Sequence, residues 1–199
     1  MSVPRQRIAS WFVWMRTPAG YSAMARSLAL AAFAILAGCV PRTPDPQEAD
    51  VLFLPTPHAV VEAMLGLAEV RAGDVLYDLG AGDGRIVIAA ARRYGARAVG
   101  IELDPRKVAE ARANVARAGL AGRVEIRHGD VFDADLREAS VVTVFLFPEI
   151  NDRLAPKLRR ELRPGARIVS HRFGLGDWPP ERRIEAHGHP LLRWTVPAR

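Results

Sequence analysis

Residues 75–85 read Val-Leu-Tyr-Asp-Leu-Gly-Ala-Gly-Asp-Gly-Arg. The first five form a short, β-prone and mostly apolar run, which is typical of a buried strand. Glycines then alternate with other residues, and glycine lets the backbone turn sharply and approach a ligand closely. The alanine-rich segment 85–94 has the length and composition of a helix. The stretch therefore predicts a strand, a glycine-rich binding loop, and a helix whose free N–H groups point at a ligand.

The rest of the chain repeats this alternation of strands and helices. Further strands are predicted at 97–102, 124–127, 141–147, 166–170, 182–186 and 191–196, and helices at 58–68, 104–118 and 148–162. The run at 141–147 is almost continuously apolar, as expected of a central parallel strand covered on both faces. The pattern predicts a single-domain α/β fold with an open, mostly parallel sheet and helices on both faces, and a ligand at the carboxyl ends of its strands.

The composition of the 199 residues is that of an ordinary globular domain, with 49% hydrophobic and 25% charged residues. The formal net charge is +6, but four arginines lie ahead of residue 39, where there is no acid: Arg5, Arg7, Arg16 and Arg26. Without them the chain has 24 basic and 22 acidic residues, so a nucleic-acid-binding surface is not predicted.

The N-terminal segment has the layout of a secretory signal. An apolar run at 27–38 is too short to span a bilayer and ends in Leu36-Ala-Gly-Cys39, which resembles the lipobox of bacterial lipoproteins. This predicts a signal peptide over 1–38, of which 1–23 are a misassigned start if translation begins at Met24. The alternative is a buried helix with Cys39 as an inert core thiol.

By the lipobox resemblance, Cys39 carries a lipid, and 39–50 is the lipidated cysteine with a proline-rich tether. The globular domain then covers 51–199. The predicted location is the bacterial cell envelope, as a membrane-anchored lipoprotein, or the cytoplasm if 1–38 is not a signal. A single cysteine excludes an intrachain disulfide and a multi-cysteine zinc site.

Three acidic residues lie near the carboxyl ends of predicted strands, where an open α/β sheet binds its ligand. Asp78 lies near the end of the first strand, Glu102 ends the second, about 20 residues past the loop, and Asp130 follows the third. An acid after the second strand holds ribose hydroxyls in nucleotide-binding sheets. The loop spacing Gly80-x-Gly82-x-Gly84 differs from the G-x-G-x-x-G of nicotinamide enzymes.

These motifs resemble the class I S-adenosylmethionine-dependent methyltransferases, which have a Rossmann-like fold. Residues 78–85 resemble the first motif of that superfamily, 100–104 its second-strand acid and 129–131 its third-strand acid. More narrowly, 54–57, 78–91, 162–167, 170–173 and 178–179 are similar to the lysine methyltransferases of the ATP synthase c-subunit and adenine nucleotide translocase, and to their bacterial relatives. That group usually has serine where this chain has Ala81.

The resemblance implies a role for each matching residue. Gly80, Gly82 and Gly84 pack against the methionine and ribose of S-adenosylmethionine, with Asp78 near its amino group. Glu102 holds the ribose, and Asp130 and Val131 border the adenine. Phe147 and Pro148 face the reacting methyl group and line the entry of the acceptor.

The implied activity is methyl transfer to an amine, with a protein lysine or a small molecule as the acceptor. An envelope lipoprotein that keeps the pocket without catalysis is the competing interpretation, because S-adenosylmethionine is made in the cytoplasm. Glu149 and His171 are candidates by position for accepting a proton, the alternative being ordinary polar residues at strand ends. The other four histidines lack metal-ligand spacing, and no metal is predicted. The oligomeric state is left open.

Overall fold

The computed structural model describes residues 55–198. The predicted signal, Cys39, the tether and residues 51–54 lie outside the described part of the chain. The helices are α1 (His58–Leu67), α2 (Arg85–Tyr94), α3 (Pro105–Arg117) and α4 (Pro148–Glu161). The strands are β1 (Val75–Leu79), β2 (Arg97–Glu102), β3 (Val124–His128), β4 (Val141–Val144), β5 (Arg167–His171), β6 (Arg182–Ala186) and β7 (His189–Thr195).

The seven strands form one sheet in the order β3-β2-β1-β4-β5-β7-β6. The first five are parallel, and β7 and β6 complete the edge as an antiparallel hairpin. Strands β2 and β3 extend the sheet to one side of β1, and β4 and β5 extend it to the other, so the strand order reverses at β1. Ligands bind at such switch points, outside the carboxyl ends of the strands. The predicted open, mostly parallel α/β sheet is confirmed.

Two hydrophobic clusters cover the two faces of the sheet. One packs α1, α2 and α3 on alternate strand residues such as Leu76, Val141 and Val169. The other packs α4 on the intervening residues, among them Leu79, Val144 and Ile168. Because strand side chains alternate between faces, the central strand β4 contributes to both clusters and is buried at all four of its positions, as its apolar run predicted. Among residues 55–198, no helix is long and apolar enough to cross a membrane.

The fourth strand is shorter than its apolar run predicted. Its ladder with β1 ends at the pair Leu79 and Val144, after which β1 turns into the glycine loop. Residues 145–147 therefore have no β1 residues beside them to pair with. Pro148, at the first position of α4, also favours an extended backbone conformation in the residue before it. Phe147 therefore lies beyond the strand, at the start of α4, and not within the sheet.

Candidate active site

The glycine loop lies over the carboxyl end of β2. The backbone N–H groups of Gly80 and Ala81 both donate to the Ile101 carbonyl, at 2.9 Å. Gly80 has φ = +82°, and a Cβ placed on it would lie 2.7 Å from Cδ2 of Leu146. Any larger residue at Gly80 would be strained and would displace that leucine. The loop then leads directly into α2, whose N-terminal residue is Arg85.

Glu102 is held by three backbone N–H groups at the end of β2. Its Oε2 accepts from Gly82 at 2.8 Å, and its Oε1 accepts from Leu103 at 2.8 Å and from Asp104 at 2.9 Å. A carboxylate has about four acceptor positions, so one remains, on Oε2 beside the loop. The acid and the glycine loop, predicted from separate motifs, are thus in direct contact.

Asp78 lies inside β1 and is only 2% exposed. Its Oδ1 accepts a hydrogen bond of 2.7 Å from the hydroxyl of Thr143 on β4. Burial raises the pKa of Asp78 to about 7, the Thr143 hydrogen bond opposes the rise, and the charges of Glu102 and Asp83 add to it. The carboxyl group therefore changes charge near neutral pH, which suits a site that receives a positively charged group.

The third acid, Asp130, is more exposed to solvent than Asp78 and Glu102. Asp130 is exposed just after β3, and its Oδ1 accepts from the Phe132 backbone N–H at 2.9 Å. Val131 is half-buried against the cluster beneath α4. With β2 between β3 and β1, Glu102 lies between these two residues and Asp78 along the edge of the sheet. The three predicted acids thus lie within, at the end of, or just after three neighbouring strands.

A second group of side chains follows β4. Phe147 is 53% exposed, and Pro148 and Glu149 are also exposed. Asn151, one turn later on α4, is fully buried, and neither its Oδ1 nor its Nδ2 has a hydrogen-bond partner. Sequence reasoning gave no role to Asn151, because a single asparagine in an amphipathic helix carries no signal of its own.

Arg85 connects the loop to the segment that precedes α1. Its guanidinium forms a bidentate ion pair with Asp83 and donates to the Thr56 carbonyl at 2.9 Å. Thr56 belongs to the segment 54–57 that resembles the family, and this contact places Thr56 beside the loop.

The hydroxyl of Thr56 reaches the end of β5. Its Oγ1 lies 3.1 Å from Nδ1 of His171, whose Nε2 lies 2.8 Å from Nδ1 of His189 on β7. Burial, followed by His189 and Arg172, lowers the pKa of His171 to about 4. His171 is thus a buried, hydrogen-bonded residue at the end of β5, and both interpretations of its role are compatible with these contacts. The β6–β7 hairpin thus brings His189 into contact with His171.

Trp178 has a packing role, and three further histidines lie at the surface. Trp178 packs on the cluster beneath α4, and its carbonyl accepts from Nε1 of Trp194 at 2.9 Å, so it anchors its loop. His58, His128 and His187 are exposed. Within the described chain, no group of three or more His, Cys, Asp or Glu side chains is placed to hold a metal ion.

The mostly parallel sheet, the glycine loop and the acids in β1 and at the end of β2 are typical of the class I methyltransferases. The model of the ANTKMT methyltransferase domain matches residues 78–182, and the chain belongs to that family. A protein-lysine N-methyltransferase of Saccharolobus islandicus is 46% identical over 136 residues, which cover 68% of this chain and 84% of the relative. The chain is thus an S-adenosylmethionine-dependent methyltransferase.

Two mouse relatives are longer than this chain. The lysine N-methyltransferase of the adenine nucleotide translocase is 45% identical over 60% of this chain, and that of the ATP synthase c-subunit is 37% identical over 70%. The chain spans 52% and 56% of their lengths, respectively.

A solved structure shares the fold closely. An RNA methyltransferase from Salinibacter ruber, in complex with S-adenosyl-L-homocysteine, has a TM-score of 0.72 and 53% identity over 73% of this chain and 95% of its own. The site suits such a ligand, since Glu102 keeps one free acceptor position on Oε2 and Asp78 can become an anion.

Proposed function

We propose that this enzyme transfers a methyl group from S-adenosylmethionine to the side-chain amine of a protein lysine. The cofactor supplies an electrophilic methyl group on a sulfonium, so the protein's task is mainly to position the acceptor and exclude water. The relatives named as lysine methyltransferases, at 37% to 46% identity, support this choice of acceptor. A small-molecule amine remains the competing acceptor.

The cofactor is proposed to lie along the carboxyl ends of β1, β2 and β3. The ionised Asp78 would bind its amino group, and the free position on Oε2 of Glu102 would accept from a ribose hydroxyl. Gly80, Gly82 and Gly84 would pack against the methionine and ribose, while Asp130 and Val131 would border the adenine. The support is the continuity of these residues along one edge of the sheet.

The observation that carries the acceptor proposal is the exposed Phe147, followed by Pro148 at the start of α4. A lysine side chain combines an apolar stem with a charged tip, and the stem packs along apolar surface while the amine reaches beyond it. Phe147 and Pro148 follow β4, the neighbour of β1, so they stand beside the proposed methionine end of the cofactor.

The similarity to an RNA methyltransferase makes RNA the rival macromolecular acceptor. RNA-binding surfaces neutralise phosphates with an excess of Lys and Arg. Beyond the four N-terminal arginines this chain has 24 basic and 22 acidic residues, which favours the lysine acceptor.

The acceptor is tested by incubating the full chain with cofactor labelled in its methyl group and either poly-L-lysine or total RNA. We expect label on the polylysine and none on the RNA. Phe147→Ala should lower kcat/KM for polylysine by about tenfold or more, because it removes apolar contact area, and should leave cofactor affinity unchanged. Label on RNA alone would overturn the lysine assignment.

For the N-terminal segment we propose a lipoprotein signal over 1–38 with Cys39 lipidated, which would hold the enzyme at a bacterial membrane. The support is the position of the single cysteine directly after an apolar run of signal-peptide length. Metabolic labelling with palmitate tests it in a bacterial host. Wild type should take up label and Cys39→Ser should not. Label that persists in the serine variant would contradict the anchor.

A further inference from the structure

We propose that Thr56, His171 and His189 form a proton relay that carries the proton released by the acceptor amine to solvent. The proposal rests on the proposed amine acceptor and adds the route by which that amine is neutralised. Hydrogen bonds of 3.1 Å and 2.8 Å connect the three side chains in series. Thr56 and His171 are 4% and 1% exposed, whereas His189 is partly exposed, so the series leads from the interior to the surface.

The inner end of the relay lies beside the glycine loop. The Thr56 carbonyl accepts from Arg85, the residue that follows the loop, while its hydroxyl bonds to His171. The ladder pairs Leu79 with Val144, and Val144 with Ser170, so the next residues, Gly80, Phe145 and His171, follow at the same level. The Phe145 ring lies on that of His171, with centroids 4.0 Å apart. The relay thus begins at the edge where methyl transfer is proposed.

The heavy atoms permit two arrangements of the hydrogens. In one, the Thr56 hydroxyl donates to Nδ1 of His171, and Nε2–H of His171 donates to Nδ1 of His189. In the other, Nδ1–H of His189 donates to Nε2 of His171, and Nδ1–H of His171 donates to the threonine oxygen. Conversion of the first arrangement into the second moves one proton from the threonine end to the histidine end, without leaving a charge on any member.

The charged groups around His171 favour such transfer without a lasting charge. Burial, His189 and Arg172 all lower the pKa of His171, so its ring stays neutral at pH 7. The rings of Phe145, just beyond β4, and Phe173, beyond β5, are stacked with centroids 6.3 Å apart, and Phe145 also lies on His171. Arg85, near Thr56, is already paired with Asp83. His171 therefore passes protons on without remaining positively charged.

The proton balance of the reaction requires such an exit. A lysine amine, with a pKa near 10.4, is mostly protonated at pH 7 and must lose a proton before it can attack. As the nitrogen–carbon bond forms, the sulfur–carbon bond breaks, and a further proton must leave before a second methyl can be added. In each case the amine proton passes to the Thr56 oxygen as the hydroxyl proton passes to Nδ1 of His171. The Nε2 proton of His171 then passes to Nδ1 of His189, and the Nε2 proton of His189 leaves for water.

His189→Asn tests the relay, because an amide can accept the hydrogen bond of His171 but does not pass on a proton. His187→Asn is the matched control, since His187 is exposed in the same hairpin and asparagine tolerates its φ of +53°. With polylysine and the full chain, His189→Asn should lower kcat about 100-fold at pH 7. The deficit should shrink towards pH 10, where the amine is already neutral, and cofactor affinity should not change.

Each outcome of this experiment has a distinct meaning. A wild-type chain that binds cofactor but does not methylate polylysine would reject the lysine acceptor. An active wild type whose His189→Asn variant matches His187→Asn at every pH, or falls equally at every pH, would overturn the relay. Nitrogen-15 NMR of the histidine rings gives a test that needs no acceptor. His171 should remain neutral down to about pH 4, and titration near its ordinary value of 6.5 would overturn the proposal.

Discussion

Burial of Asp78 costs stability, and the same carboxyl group is proposed to bind the cofactor. The carboxyl group is buried in β1 with Thr143 as its hydrogen-bond partner, and burial raises its pKa from 3.8 to about 7. A raised pKa means that the folded protein disfavours the ionised form. This group therefore contributes nothing below about pH 4, destabilises the fold increasingly from pH 4 to 7, and has a constant unfavourable effect above that.

Asp78→Asn should remove this effect and keep the hydrogen bond, since the amide oxygen can still accept from Thr143. The free energy of unfolding of the variant should match that of wild type below pH 4 and exceed it at pH 8. The shift to about 7 corresponds to an upper bound on the order of 4 kcal/mol. Urea unfolding across this pH range is the measurement. A variant less stable than wild type at pH 8 would refute the assignment.

The same substitution should weaken cofactor binding. If the ionised Asp78 binds the cofactor amino group, wild-type affinity should rise about tenfold per pH unit below pH 7 and level off above it. Asp78→Asn should bind more weakly at pH 8 and lose this pH dependence. An identical pH dependence in both proteins would assign the titration to another group. Thr143 is the suitable second site, because Thr143→Val removes the hydroxyl that opposes the pKa rise.

At the scale of elements, the strand–loop–helix unit β1–α2 depends on a glycine that packs against the segment leading into α4. Gly80 faces Leu146, which lies between β4 and α4. The loop and the acceptor-side segment therefore support each other directly, and a change in one displaces the other.

Gly80→Ala should destabilise the protein by about 1–3 kcal/mol, because its φ is +82° and the added Cβ would lie 2.7 Å from Leu146. Gly66→Ala is the matched control within α1, where no atom lies within 4 Å of the added Cβ. That change should stabilise the protein by about 0.5–1 kcal/mol through its helix propensity. Thermal unfolding of both variants measures these changes in stability. Equal effects of the two substitutions would contradict the packing described for the loop.

Sequence patterns predicted the elements where periodicity and local signals agree. The loop, the acids after β2 and β3, and the proline that begins α4 are all local features. The over-long fourth strand shows the limit, because residues 145–147 are as apolar as the strand itself and only the turn of β1 ends the pairing. Thr143 and His189 were missed as partners of Asp78 and His171 because they lie 65 and 18 residues away. Such contacts are set by strand order, which periodicity does not encode.

At the scale of the whole molecule, the antiparallel hairpin β6–β7 distinguishes one edge of the sheet. It covers β5, and it supplies His189 to the relay and Trp194 to the cluster beneath α4. The proposed anchor raises a separate question at this scale. If Cys39 is lipidated outside the cytoplasm, the enzyme stands across a membrane from the place where its cofactor is made, and fractionation of cells for methyl-labelled product would locate its activity.

Calorimetric titration of the full chain with S-adenosylmethionine tests the central claim most directly. We expect one binding site per chain at pH 8. Glu102→Ala should weaken binding at least about tenfold, since a hydrogen bond to a charged group contributes on the order of 1.5–3 kcal/mol. The exposed Glu149→Ala should bind like wild type and serves as the control. No binding at millimolar cofactor, or equal affinity in the Glu102→Ala variant, would contradict the site described for this methyltransferase.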